Sequence, residues 1–430
     1  MGGRSAGRTF LIERHHLGFV AATDPASGGI YQYSEALHRS LSDLRDGLPF
    51  EVLVLLRGRL QSERGLPSQP LFPPATGGLR SSIKGTLAGS RFAEPLRRSR
   101  DRIRARSILT RPRPRRDDVA GWLRRSGVDL LLFPAPDALV FEIGVPSIMA
   151  VHDLQHRLQP QFAEVSAGGQ FELREYIFRN AAREALLLLV DSEVGKEDLL
   201  ELYAAHGVTE DRVKILPFVP SPSLDSTIGG GDAEDVRRRY RLPDRYLLYP
   251  AQFWPHKNHV RLIQGFAQAR SDDDALVLCG GASGSLRRRT LKAAREAARR
   301  LAVEDRVFFL GYVSDHDLSA LYRGATALVF PTFFGPTNLP IIEAWNFGVP
   351  VLTSDLRGIR EQVESAAILV DPASSASIGE GCRRLLEDEE LRRRLTIAGA
   401  ERLSAFTNED HRHRLEQILR EAFGRLEQWS

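Results

Sequence analysis

The sequence predicts an α/β protein of two domains, each a parallel sheet wrapped by helices. Three observations predict it. The chain has 430 residues, more than one core normally takes up. Short, continuous apolar runs alternate with helix-length stretches. A break rich in Pro, Ser and Gly falls near the middle.

Taken in order, the strand-like runs of the first half are Glu51–Leu56, Asp129–Phe133, Ser147–Val151, Leu186–Val190 and Val213–Leu216. Those of the second half are Tyr246–Tyr249, Ala275–Cys279, Val307–Leu310, Ala327–Phe330, Val349–Thr353 and Ala367–Val370. Their apolar residues are consecutive rather than alternating, which suits strands buried on both faces of a parallel sheet. Between them lie helix-like stretches such as Phe171–Glu184, Val260–Ala269, Ser285–Leu301 and Ile378–Leu386. The break runs from Pro217 to Asp235 and contains Pro220, Pro222 and Gly229–Gly231. The expected division is therefore a domain over 1–218, a linker over 219–236 and a second domain over 237–406. A terminal helix over 407–430 is expected to pack back on the first domain. Open parallel sheets bind ligands outside the carboxyl ends of their strands, so a cleft between the domains is the expected site.

Composition narrows the class. With 42% hydrophobic and 27% charged residues the chain reads as an ordinary soluble protein. Cys279 and Cys382 are far apart, so neither a disulfide framework nor a cysteine zinc site is indicated, and a reducing compartment is expected. No targeting segment is visible, and the longest aliphatic stretch, Ala185–Val190, is far shorter than the roughly 20 residues of a bilayer span. The expected location is the cytoplasm, with peripheral attachment at the inner face of the membrane left open. From Arg80 to Arg116 there are thirteen Arg or Lys against two acids, although the whole chain carries only +4. Such an insertion is either a solvated surface or a docking site for anionic lipid. Phe92 is its one aromatic residue, so base stacking is poorly supported and no nucleic-acid partner is expected.

Two segments carry chemistry. The first is FPTFFGPTNLPIIEAWNFGVP, residues 330–350. A strand ends at Phe330, a loop follows, and a helix begins near Leu339–Pro340, with proline suited to the first turn. A helix start favours a phosphate. Thr337 and Asn338 can add side-chain donors, and Glu343, one turn in, can accept from a ribose diol. The second segment is YLLYPAQFWPHKNH, residues 246–259. It places Lys257 at the start of a helix, where a cation opposes the dipole and is better explained by an anionic ligand than by stability. The histidine pairs at 15–16, 152–156 and 256–259 lack a convincing ligand set, so no metal is expected.

Together these segments resemble the retaining nucleotide-sugar glycosyltransferases of family 4, and the PAQFWPHKNH block resembles one subgroup of them. The stretch LPIIEAWNFGVPVLTSD, VHDLQH at Val151–His156 and DSEVGKEDL at Asp191–Leu199 agree. The resemblance runs from Gly28 to about Phe406. It implies the GT-B fold, two Rossmann-like domains facing a central cleft, with acceptor on the N-terminal side and donor on the C-terminal side. It implies transfer, with retention, of a sugar from a nucleoside diphosphate sugar to a hydroxyl of a glycan or lipid-linked glycan, without a metal or other cofactor. By position, Lys257 matches a lysine on the donor diphosphate, and Glu343 matches the glutamate on the ribose. Asn338 and Leu339, with Pro336 and Thr337 before them, match the turn around the distal phosphate and sugar. Tyr312 and Val313 match a loop packed on the base. Gly28 and Gly29 match the N-terminal glycine loop, and His152 matches a histidine near the transferred sugar, although a lone histidine after a strand is equally a structural hydrogen-bonder. Two positions depart from the pattern. Gly335 stands where the family has the first glutamate of a pair whose second member is Glu343, and Gln252 stands where it has an arginine. Three readings of the missing charge are open: Arg357 or Arg360 supplies it, the subgroup uses a different donor, or the rate is lower. A GT-B-fold binding protein with little or no turnover is the alternative.

Overall fold

The computed structural model describes residues 15–25, 28–57, 66–73, 115–224, 232–269 and 273–428. All of the basic stretch from Arg80 to Arg116 except residues 115 and 116 lies outside this set, as do residues 225–231 of the linker.

Seven strands form the first sheet: β1 (His16–Val20), β2 (Glu51–Leu56), β3 (Ser68–Pro70), β4 (Val128–Phe133), β5 (Ser147–Ala150), β6 (Leu187–Val190) and β7 (Val213–Ile215), in the order β3-β2-β1-β4-β5-β6-β7. Six form the second: β8 (Arg245–Pro250), β9 (Asp274–Cys279), β10 (Val307–Gly311), β11 (Ala327–Phe330), β12 (Val351–Ser354) and β13 (Ala367–Val370), in the order β10-β9-β8-β11-β12-β13. Every pairing is parallel. The consecutive leucines of β4 and β6 are buried because helices cover both faces. Two strands have no counterpart in the apolar runs. β1 is short, begins with a histidine and carries Gly18, yet it occupies the middle of its sheet. β3 is a three-residue edge ending in Pro70, a residue that only an edge tolerates.

In each sheet the order reverses beside its first strand, between β1 and β4 and between β8 and β11. At these switch points the loops leaving the carboxyl ends diverge and leave a crevice. The two crevices face each other. Contacts between the domains hold one side of the cleft together. Glu361 accepts the backbone N–H groups of Glu193 and Val194 at 2.8 and 2.9 Å, placing a carboxylate at the start of the helix Glu193–Tyr203. Glu164 accepts from the His256 ring at 2.7 Å, Gln159 donates to the Phe333 carbonyl at 2.7 Å, and Thr337 donates to Asp191.

The helix Asn408–Glu427 follows the second sheet but packs on the first. Its start is a reciprocal capping box between Thr407 and Asp410. Leu415, Leu419 and Phe423 join Leu17, Phe19, Leu37 and Leu41 in one buried cluster. His411 on the same helix is buried, meets Ser40 Oγ at 2.9 Å and is pushed down to about 4 by burial, so it stays neutral. Leu419→Ala is therefore expected to cost roughly 2–5 kcal/mol, read by urea unfolding, because it leaves a void under the first sheet. A loss below about 0.5 kcal/mol would show that this helix is not part of that core.

Candidate functional site

A cavity of about 930 Å3 fills the cleft. Its walls are the segments that leave the carboxyl ends of β1, β4, β5, β8, β9, β10 and β11. Thirteen residues nominated from the sequence line it: Gly28, Gly29, His152, Gln252, Lys257, Tyr312, Val313, Gly335, Pro336, Thr337, Asn338, Leu339 and Glu343.

Lys257 does not open a helix as expected. It closes the 3-10 turn Pro255–Lys257, and Asn258 takes a left-handed φ of 62° before the helix His259–Ala269 begins. The Asn258 amide holds this turn by donating to the carbonyls of Pro331 and Pro372 at 2.9 and 2.7 Å. The Lys257 carbonyl accepts from the buried Tyr249 hydroxyl. Its ammonium lies 4.8 Å from the centre of the Phe330 ring. No ion pair to it is seen among the described residues. The enclosing walls desolvate it and lower its pKa to about 8, with Asp153 pulling weakly the other way.

Glu343 sits inside the helix Leu339–Asn346 and is 2% exposed. One carboxylate oxygen accepts from the Tyr322 hydroxyl at 2.8 Å, while Oε1 has no partner. Burial raises its pKa to about 7; Tyr322 opposes that rise and Asp315 adds to it. A buried, half-satisfied carboxyl group on a cavity wall can hydrogen-bond a ligand hydroxyl.

The loop between β11 and this helix corrects part of the expected donor set. The Thr337 hydroxyl is committed to Asp191 of the other domain, and the Asn338 N–H donates to Gln362 Oε1 at 2.9 Å. Gln362 also donates to the Asn338 carbonyl at 3.0 Å. The Asn338 side-chain amide is buried and has no hydrogen-bond partner among the described residues. Gly335 has a φ of 137°, and a Cβ there would lie 2.7 Å from that same amide. A glutamate cannot simply be restored at this position. Gly358 backs the loop from behind, since a Cβ on it would meet the Pro336 Cα at 2.7 Å.

On the opposite wall, His152 donates from Nε2 to the Pro134 carbonyl at 2.6 Å and packs edge-on against Tyr33. Burial lowers its pKa, so the ring is neutral with Nδ1 as its acceptor. Asp153 accepts from the Gln155 N–H at 2.9 Å and pairs with Arg174. Tyr312 is 64% exposed at the cavity mouth, with Val313 buried beside it. Gln252 accepts from Trp254 at 3.0 Å and from Arg287 at 2.7 Å.

Arg357 and Arg360 do not line the cavity. Arg357 pairs with Glu197 and Asp198, and Arg360 with Asp355, so neither supplies the charge missing at Gln252. Arg287 and Arg174 do line it. Sequence reasoning missed both, since Arg287 belongs to a three-arginine run that reads as a solvated helix face. Among the described residues no group of His, Cys, Asp or Glu is arranged to hold a metal ion, and no helix is long and apolar enough to cross a membrane.

Comparison with known proteins bears on this geometry. Residues 232–402 match the family model described as glycosyl transferases group 1. A D-inositol 3-phosphate glycosyltransferase of Salinispora tropica is 30% identical over 279 residues, which is 60% of this chain and 55% of that protein. An O-antigen chain mannosyltransferase B of Escherichia coli is 27% identical over 234 residues, 53% of this chain and 58% of that protein. The matched region thus spans little more than half the length of these relatives. A solved structure of Anabaena HepE in complex with UDP-glucose superposes with a TM-score of 0.67 at 18% identity, covering 95% of this chain and 99% of that one. That likeness shows the fold: this chain has the GT-B architecture of two Rossmann-like domains.

The state of Glu343 generates a stability prediction. Its folded pKa of about 7 lies above the ordinary glutamate value of 4.5, so the fold favours the protonated acid. That contribution is full below about pH 4.5 and is lost as pH rises through 7. Above pH 7 the ionised group is a cost. Glu343→Gln keeps an acceptor for Tyr322 and removes the charge. It is expected to be roughly 1–3 kcal/mol more stable than the native chain at pH 8, with the gain shrinking toward pH 5. Thermal unfolding across that range checks it, and a pH-independent difference would contradict it.

Proposed function

We propose that the chain is a group 1 glycosyltransferase that moves a sugar from a nucleoside diphosphate sugar to a hydroxyl acceptor. One observation carries the reading: a desolvated lysine without an ion pair and a buried carboxylate with an unpartnered oxygen line the same cavity at the carboxyl ends of the second sheet. A nucleoside diphosphate satisfies both. Its phosphates compensate Lys257, and its ribose hydroxyls donate to Glu343 Oε1. The family match over residues 232–402 supports this placement.

In the proposed reaction the bond from the sugar's anomeric carbon to the diphosphate oxygen breaks, and a bond from that carbon to the acceptor oxygen forms. The acceptor proton passes to the departing diphosphate. Negative charge grows on that diphosphate, and Lys257 with the Asn338 amide stabilises it where water is excluded. Retention follows from the resemblance, with no protein nucleophile assigned. His152 and Gly28–Gly29 form the wall facing the transferred sugar, and Tyr312 and Val313 flank the base. The name of the O-antigen chain mannosyltransferase supports a glycan or lipid-linked glycan as acceptor, and the charge of the basic stretch from Arg80 to Arg116 supports docking on anionic lipid at the cytoplasmic side.

A panel of UDP-, GDP-, ADP- and dTDP-sugars tests the reading through nucleotide release in the presence of candidate acceptors. One donor is expected to turn over. Lys257→Ala is expected to weaken binding of that nucleoside diphosphate by about thirtyfold or more. Tight binding of a donor with no turnover on any acceptor would favour a binding protein instead, and unchanged affinity in Lys257→Ala would remove Lys257 from the site.

A further inference from the structure

Arg287 stands at the start of the helix Ser285–Arg300 and lines the cavity beside the segment that carries Lys257. Its guanidinium is held in one plane by three hydrogen bonds. Nε donates to the Ser283 carbonyl at 2.6 Å, one terminal nitrogen to Gln252 Oε1 at 2.7 Å, and the other to Ser283 Oγ at 2.8 Å. The group also lies over the Trp254 ring, 4.7 Å from its centre. A guanidinium has five N–H groups. Three are used here, which leaves one N–H on each terminal nitrogen. These two form a fork suited to two oxygens of one phosphate.

Two further facts point the fork at a ligand. No carboxylate pairs with Arg287 among the described residues, whereas Arg174, the other arginine of the cavity, is already paired with Asp153. Gln252 is also an unusual partner. Its oxygen accepts both from Trp254 and from Arg287, so it ties the stacking ring and the guanidinium together without neutralising the charge.

Resting on the reading of this cavity as a nucleoside diphosphate site, we infer that Arg287 is its second phosphate-binding cation and that Gln252 is the residue that positions it. The diphosphate is then gripped from two elements, the Pro255–Lys257 turn and the first turn of the Ser285–Arg300 helix. Gln252 does not leave a charge missing. It converts the role of its position from contact to support.

The test is calorimetric titration of the full chain with the tightest-binding of UDP, GDP, ADP and dTDP, and with its nucleoside. Arg287→Ala is expected to weaken the nucleoside diphosphate by about tenfold or more while leaving the nucleoside within about twofold. Arg287→Lys keeps the charge and loses the fork, so it is expected to recover only part of that loss. Gln252→Glu gives Arg287 a carboxylate partner and is expected to weaken the diphosphate about as much as Arg287→Ala, with thermal unfolding confirming that each variant is folded. Equal losses for nucleoside and diphosphate would place Arg287 on the base and overturn the inference. Unchanged diphosphate affinity in Arg287→Ala would overturn it too. Lys257→Ala, titrated in parallel, separates the two readings. If it weakens binding and Arg287→Ala does not, only the role of Arg287 fails. If neither changes binding, the phosphate site itself fails.

Discussion

Charge held away from water is the constraint around which the cleft is organised. Lys257 and Glu343 belong to one wall of one cavity, and each lacks the partner that would compensate its burial. Isolated buried charges are costly, and proteins normally pair or neutralise them. Here the pKa values of both groups move toward neutrality, to about 8 and about 7, rather than being held by counter-ions. The surrounding structure keeps this arrangement in place. Asn258 locks the lysine turn to the ends of two neighbouring loops. Gln362 holds the backbone of Asn338 on both sides. Glu361, Glu164 and Thr337 bind the domains together at the cleft's edge, so the walls that desolvate the lysine come from both halves of the chain.

The cavity is not equally built along its length. The wall from the second domain is crowded with oriented groups: Glu343 Oε1, the Asn338 amide, Lys257 and Arg287. Gly335 contributes no side chain, and its φ of 137° together with the crowding by Asn338 leaves no room for one. His152 offers a neutral ring whose Nε2 is already given to the Pro134 carbonyl. Under the proposed donor reading, hydroxyl recognition beside Gly335 falls to backbone and to the N-terminal wall.

Much of the frame was legible in the sequence, for physical reasons. Strands buried on both faces need consecutive apolar residues, and β4, β6, β8, β9 and β11 read that way. β1 did not, because a central strand that starts with His16 and contains Gly18 has too few apolar residues to form a run. Lys257 was legible because a cation before a helix opposes the dipole, and Glu343 because an acid one turn into a helix that opens on a loop can accept from a ribose diol. The partners were not legible. Thr337 has a hydroxyl that could serve a phosphate, but Asp191, distant in sequence, takes it. Arg357 and Arg360 looked available until Asp198 and Asp355 were seen to hold them. Arg287 was hidden among arginines that face solvent. A single sequence shows which donors and charges exist, and only the fold shows which of them are already used.

Under the proposed reading, a desolvated Lys257 awaits an anionic phosphate. Proton linkage measures it directly. Titration of the best-binding nucleoside diphosphate at pH 8.5, in two buffers of different ionisation enthalpy, reports the protons exchanged on binding. Lys257, at about 8 in the free protein, is then largely neutral, and Glu343, at about 7, is already ionised and contributes little. Phosphate contact restores the ammonium, so uptake of more than about half a proton is predicted. Binding heat independent of the buffer would contradict the account.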